Sequence, residues 1–356
     1  MLAGVMGARA NYVVVEDRGW WLRYSHWGAQ HIDVHLAAGP EHAASMVRQQ
    51  SPRDRREGWL DDRWCEGGAL LDATRRHLRF FGGSEVLHAL PYRRAYFALL
   101  AQTWPHWSVG WAYDGLAEFV GYVGGDRQVV RVPELLPAAG AVTAAALECA
   151  ADDDLEDGFW ALLSLRERRG RVLAWPVSTL RRRAHLAWVG EGLLEVLAGP
   201  DPGPAAIAGQ PPRWGLHIDL AARRLGWWTA ATEPGLTREA PLRWPGWDVQ
   251  FWQDRYERQL AACAGAVRAP VIDLARGLDE LGDRLRAHHR DPAAGAVQVV
   301  DSLRASGRTV AVTAPITEHT EVTFGARERR RIGDALSAAR RQARRQASGE
   351  PPRTPE

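Results

Sequence analysis

Trp104-Pro105-His106-Trp107-Ser108-Val109 returns 140 residues later as Trp244-Pro245-Gly246-Trp247-Asp248-Val249. Three further landmarks recur in the same order. The charged turn Glu16-Asp17-Arg18-Gly19 has a counterpart in Glu167-Arg168-Arg169-Gly170, and Gly39-Pro40-Glu41 has one in Gly199-Pro200-Asp201. The set Asp72, Arg76, Leu78, Phe80, Phe81 matches Asp219, Arg223, Leu225, Trp227, Trp228. One short match arises by chance, but four in order read as an internal duplication. The offsets drift through 151, 160, 147 and 140, as an insertion followed by deletions in the second copy would produce.

The fold class that follows is α+β, with two tandem copies of an antiparallel-sheet-plus-helices unit at residues 11–125 and 158–265. Residues 126–157 connect them, 266–347 form a mainly helical C-terminal region, and 348–356 read as a disordered tail. In copy one, residues 12–15 and 20–24 are β-branched and aromatic and flank the first turn, which predicts a hairpin. His31-Ile32-Asp33-Val34-His35-Leu36 alternates polar with apolar residues and predicts a half-exposed strand. Gly39-Pro40-Glu41 opens a helix running to Gln50, with Pro at its start and an acid in its first turn. Residues 51–58 read as a charged loop.

A second hairpin is predicted at 69–72 and 77–81, and a helix at about 89–102 from the spacing of Tyr92, Tyr96, Leu99 and Leu100. A strand at 107–111 and a short helix at 113–123, ending at Gly124-Gly125, complete the unit. The hairpins should join into one antiparallel sheet with the helices on one face. In the connector, 141–151 reads as a helix followed by the acidic run 152–157. Copy two should have strands at 159–165 and 171–177, and a Pro-rich joint at 200–212 where copy one has its helix. The C-terminal region predicts helices at about 275–289, 295–305 and 326–347 and a strand at 309–315.

The chain's 356 residues are enough for two or three domains with sizeable cores. A net charge of +2 neither favours nor excludes a polyanionic partner. The N-terminus is too polar for a signal peptide, and no apolar run reaches the roughly 18 residues of a membrane span. Three cysteines without close pairs, Cys65, Cys149 and Cys263, argue against a disulfide framework or a zinc knuckle. These features point to a soluble, cytoplasmic protein with no membrane role. All 45 basic residues are arginine, which a GC-rich genome explains. The 17 tryptophans all precede residue 253. Each buries about 150–250 Å², on the order of 4–6 kcal/mol gross, so they read first as core and second as a stacking surface.

Copy one is the richer half. Tyr24-Ser25-His26-Trp27-Gly28 faces Trp175-Pro176-Val177-Ser178 at the hairpin offset, and residues 59–68 shrink to 211–215 in copy two. The catalytic candidates are therefore His26, as a general base or a histidine satisfied in the core, with Asp61, Asp62 and Glu66 as acid/base carboxylates or loop caps. Cys65 beside Glu66 reads as inert packing, because a neighbouring carboxylate raises a thiol's pKa. His31, Asp33 and His35 share one strand face in a ladder that could offer a metal two ligands at most, and read better as an exposed polar face. Glu191, Leu193 and Glu195 occupy that register in copy two. Tyr24, Trp27, Trp59 and Trp64 are the aromatic binding candidates. Arg340, Arg341, Arg344 and Arg345 decorate the last helix and could track phosphates or an acidic partner. No phosphate loop, nucleophile elbow or dinucleotide fingerprint is present, and no cofactor or metal is implied.

Tyr24-Ser25-His26-Trp27-Gly28-Ala29, Trp64-Cys65-Glu66-Gly67-Gly68 and Phe80-Phe81-Gly82-Gly83 resemble elements of an uncharacterised bacterial protein family. The resemblance covers about the first 125 residues, and implies no activity, substrate or cofactor. Cys65 stands where that family's pattern has a small residue. The expected function is a cytoplasmic binding or regulatory protein that meets a protein partner through an aromatic-rich surface of copy one or a groove between the copies. A hydrolase-like enzyme using His26 and the copy-one carboxylates, or a nucleic-acid binder using the C-terminal arginines, are the alternatives.

Overall fold

The computed structural model describes residues 7–83, 85–133, 147–180, 185–287, 292–307 and 323–347. The chain divides into two compact units: the described parts of Met1–Val86, Arg94–Arg131 and Leu274–Glu356 form one, and Leu87–Arg93 with Val132–Asp273 the other.

In copy one, most of which forms the first unit, β1 (Ala10–Glu16) and β2 (Gly19–Ser25) form the expected hairpin. α1 (Ile32–Ala37) and α2 (Pro40–Gln49) follow, then a short edge strand β3 (Ser51–Arg53) laid antiparallel on β2. β4 (Gly67–Asp72) and β5 (His77–Gly82) make the second hairpin. α3 (Leu90–Thr103) crosses over to β6 (Ser108–Trp111), and α4 (Leu116–Tyr122) closes the copy. The sheet order is β3-β2-β1-β4-β5-β6. Each hairpin is antiparallel, but β1 runs parallel to β4 and β5 parallel to β6, so the sheet is mixed. Parallel neighbours cannot be joined by a tight turn; the α1–α2 and α3 segments supply the longer connections.

The second unit has the same plan. β7 (Trp160–Arg166) and β8 (Val172–Ser178) form a hairpin, as do β9 (Trp214–Asp219) and β10 (Arg224–Thr229), with β11 (Asp248–Phe251) after them. The order is β11-β10-β9-β7-β8, with β7 parallel to β9 and β10 parallel to β11. Strand order and direction therefore match copy one strand for strand, β3 excepted. α5 (Asp152–Asp157) precedes the sheet, and α6 (Leu193–Leu197), α7 (Leu236–Arg243) and α8 (Tyr256–Ala262) occupy the helical connections.

Repetition extends to single bonds. The Trp104 indole N–H donates to the Leu36 carbonyl (2.7 Å), and that of Trp244 to the Ala187 carbonyl (3.1 Å). Trp107 and Trp247 stand edge-on to those indoles at 4.9 and 5.2 Å. Arg76 and Arg223 both adopt left-handed backbone (φ 51° and 46°) in the hairpin turns, a conformation uncommon outside glycine and asparagine. Gly39 and Gly190 have positive φ, and a Cβ on either would lie 2.6 Å from the carbonyl preceding the clamp tryptophan, Thr103 or Arg243.

These contacts correct the second sequence landmark. Gly39 corresponds to Gly190, not to Gly199, so α2 corresponds to the α6 region, and the Pro-rich 200–212 stretch to the loop after α2. The pairing of His31, Asp33 and His35 with Glu191, Leu193 and Glu195 lapses with it. The predicted strand over His31–Leu36 is also absent: a 3-10 turn (Gly28–His31) leads into α1, which is buried along its whole length. Its polar residues alternate because each meets a partner inside. Asp33 pairs with Arg284, and His35 Nδ1 lies 2.9 Å from the Tyr12 hydroxyl.

Helices cover both faces of each sheet rather than one. Tyr12 and Phe80 face α1 and α3 through His35 and Tyr96, whereas Gly68, on the opposite pleat, lies under Phe119 of α4. In copy two the faces hold separate cores. One gathers Leu163, Trp175, Leu216, Trp227 and Trp244, the other Trp160, Leu162, Trp228 and Tyr256. Most tryptophans are thus core.

Of the predicted connector helix, residues 147–151 are not helical: Cys149 bridges Val177 on β8. Residues 141–146, the predicted strand at 309–315 and the tail lie outside the described residues. α9 (Leu274–Arg286), α10 (Pro292–Ala305) and α11 (Ala326–Ala347) follow the predicted spacing. The apolar stripe of α11, including Ile332, Leu336 and Ala339, is buried, and Arg340 anchors it to Asp279 of α9 (2.8 Å).

If the two indole clamps are equivalent, Trp104→Phe and Trp244→Phe should each cost about 1 kcal/mol or slightly more by urea unfolding, since each removes one buried donor. An unchanged midpoint for either variant would remove that clamp from the account.

Candidate functional site

The equivalences locate where the copies diverge. The Glu66 N–H donates to the Arg9 carbonyl at 2.9 Å, and the Arg213 N–H to the Trp160 carbonyl at 2.9 Å, so Arg9 stands where copy two has Trp160. The copy-two hairpin turn is one residue longer: Val13 pairs with Leu22, but Ser164 with Ala174. Tyr24 therefore corresponds to Pro176, one position beyond the match the sequence offset suggests.

In copy two this end of the sheet is filled. Trp160 is fully buried and its indole donates to the Gln210 carbonyl (2.9 Å). Ile207 packs into the same core, and Gly203 backbone lies against Pro176. In copy one the corresponding loop leaves a cleft of about 430 Å³ lined by Arg9, Tyr24, Arg53, Glu57, Gly58, Leu60 and Trp64. The loop is held open by its own bonds. Asp54 accepts from the backbone of Arg56 and Glu57, Asp61 from Arg63 and Trp64, and the Asn11 side chain receives the Leu60 N–H (2.8 Å).

The Arg9 guanidinium lies 4.8 Å from the Trp64 ring and that of Arg53 lies 4.4 Å from the Tyr24 ring, both within cation–π range. Among the described residues, neither guanidinium has a carboxylate within 4.0 Å. Trp64 is half exposed, at 51%, the largest exposed aromatic side chain among them. Behind the wall, the Tyr24 hydroxyl lies 3.0 Å from His26 Nδ1. Burial and then Arg9 push the His26 pKa below its ordinary value.

Tyr24 and Trp64 of the sequence candidates meet in the cleft; the others do not line it. Trp27 is buried edge-on to His26 at 4.9 Å, and Trp59 lies against Trp20 at 5.8 Å. Asp62 is bound to Arg131 at 2.9 Å, with burial raising its pKa; Asp61 caps its own loop. Glu66 is exposed, its pKa raised by partial desolvation against the pull of Arg9. The Cys65 thiol donates to the Gly67 carbonyl and burial pushes its pKa up to about 12, which leaves it unreactive. On α11, Arg341 lines a separate wide cavity of about 800 Å³ with Arg327, Arg330 and Arg331, while Arg344 and Arg345 continue along the helix. Among the described residues no three His, Cys, Asp or Glu side chains gather as a metal site needs.

Arg9 and Arg53 escaped sequence reasoning. Arg9 was within reach of it: at the hairpin offset it replaces a tryptophan, an exchange of core for charge. Arg53 carried no signal, since copy two has no β3.

A second constellation was also missed. Ser164 Oγ and His217 Nδ1 lie 2.9 Å apart, the spacing of a nucleophile and its base. Gln259 Nε2 donates to Ser164 Oγ and to the Leu162 and Leu216 carbonyls, all at 2.9 Å, while its carbonyl accepts from Trp228. Copy one has Val13, Leu70 and Phe119 at these positions. Ser164 and Gln259 are fully buried, so the network satisfies core polar groups rather than meeting a substrate.

No family model, curated protein or solved structure matches the chain. The resemblance of the N-terminal motifs to an uncharacterised bacterial family rests on those residues alone.

Burial in the second unit gives it a defined pH response. His185 is held down to about 3 and His88 and His217 to about 4, against 6.5 for the free side chain. The unfolded chain binds these protons first, so their stabilisation is complete above pH 6.5 and is lost on acidification towards pH 4. Glu233 runs the other way: its enclosed carboxyl, bonded by Trp188, is raised from 4.5 to about 8, so stability falls as pH rises across that interval. Stability of this unit should peak near pH 6.5, and Glu233→Gln should raise stability at pH 8 relative to pH 6.5 by on the order of 1–2 kcal/mol over the parent chain. Urea midpoints measured across that range check it; an equally steep decline in the variant would contradict the assignment.

Proposed function

We propose that the chain is a cytoplasmic binding or regulatory protein that engages a protein partner through the copy-one cleft. One observation carries this reading: the two copies share strand order, clamps and the second hairpin turn, yet the end that copy two seals with Trp160, Pro176 and Ile207 stays open in copy one. A half-exposed indole beside an arginine is a composition enriched among energetically dominant interface residues. The acid/base reading has less support, because His26, Asp61, Asp62 and Glu66 are absent from the cleft lining. For nucleic acid, Arg340 is already held by Asp279. Among the described residues no helix is long and apolar enough to cross a membrane.

With a stoichiometric partner recovered from the native cell, Trp64→Ala should weaken binding tenfold or more, about 1.4 kcal/mol. Leu242→Ala, which removes an exposed apolar side chain of copy two, should leave the affinity unchanged. Calorimetric titration decides: a partner insensitive to Trp64, or one that depends on Leu242, puts the site elsewhere.

A further inference from the structure

We propose that the copy-one cleft is a carboxylate receptor, in which Arg9 and Arg53 take Asp or Glu side chains of an acidic segment in the partner. This rests on the partner-binding reading above and names the chemistry of that partner.

Both guanidiniums lie over an aromatic ring; Arg9 also hydrogen-bonds the Tyr24 side chain, while Arg53 forms no ion pair among the described residues. Cations held over Trp64 and Tyr24 retain N–H donors in the fork that matches a carboxylate. The rings also fix the long side chains, so less rotamer freedom is lost when an anion arrives. Two cations line the cleft against one acid, Glu57, which forms no ion pair with either arginine among the described residues. Elsewhere in this unit, two partly buried arginines pair with carboxylates. Arg131 bridges Asp62 and Asp114, and Arg284 meets Asp33. At the cleft, Arg9 and Arg53 instead lie over aromatic rings and form no ion pair among the described residues.

Size and charge narrow the class. A volume of about 430 Å³ admits one or two side chains but not a nucleic-acid duplex. Glu57 in the lining disfavours a dense polyanion, while a single carboxylate beside Leu60 and Trp64 suits the mixed walls. Arg53 lies on the exposed edge strand β3, so an extended segment running along that edge would pass directly over the cleft.

The test is anisotropy of a labelled Glu-rich peptide, its Gln-for-Glu counterpart and inorganic phosphate as competitor, against the full chain. The Glu peptide should bind at least about tenfold more tightly than the Gln peptide, weaken with added salt, and lose about tenfold with R53Q. R9Q should act alike; if it disturbs folding, R53Q, exposed on its strand, decides alone. Equal binding of the two peptides, an unaffected R53Q, or phosphate displacing the peptide as effectively as unlabelled peptide does would each overturn the proposal, the last by assigning the cleft to a free anion. If the native partner depends on Trp64 but not on either arginine, partner binding stands and the carboxylate assignment falls. Independence from all three residues removes both.

Discussion

An indole N–H donated to the carbonyl at the end of the preceding helical connection is the contact on which each copy is built. Trp104 reaches Leu36 and Trp244 reaches Ala187, tying the segment after the first hairpin to the segment before the last strand. The first leads from β2 past β1 to β4 and the second crosses between the parallel β5 and β6, so the clamp holds both connections on one face of the sheet. A buried donor without its acceptor would cost about 1–3 kcal/mol, and the indoles themselves supply core. The rule that Gly39 and Gly190 keep positive φ follows, because the clamp brings a carbonyl within 2.6 Å of where their Cβ would stand.

With that face committed, the opposite face is the one on which the copies differ. Phe119 under Gly68 in copy one becomes Gln259 under Gly215 in copy two, and with it Val13 and Leu70 become the hydrogen-bonded Ser164 and His217. Gln259 is the change that makes the others tolerable: one amide satisfies a serine, two carbonyls and an indole at once. Half of that network in an apolar core would be worse than none. The polar residues of copy two therefore read as a coupled replacement rather than as an added activity.

Hairpins, clamps and the duplication itself were legible because they depend on local pattern: period-two alternation, turn residues and a recurring Trp-Pro pair. Which hairpin edges meet is not local, and the parallel β1–β4 pairing has no signature in either strand. His31–Leu36 misled because alternation is evidence of a strand only when one side faces water, and here Asp33 and His35 have buried partners, Arg284 being 251 residues away. At the site, Tyr24 and Trp64 were legible from copy-one enrichment, but the cationic half was not. Its meaning lies in stacking geometry, and arginine is too common in this lysine-free chain to stand out.

Arg9 illustrates what the open cleft costs. At the same position Trp160 buries its whole side chain, worth on the order of 4–6 kcal/mol gross by area. Copy one forgoes that burial and places a cation at a sheet end that its duplicate shows can be sealed. Marginal stability makes such a loss significant in a unit of this size. Positions that give up packing while their neighbours keep it are where function competes with fold. The loop bonds of Asp54, Asp61 and Asn11 add to that argument, since they hold the cleft-lining Glu57, Trp64 and Leu60 by their backbone N–H groups and leave those side chains uncommitted by these bonds.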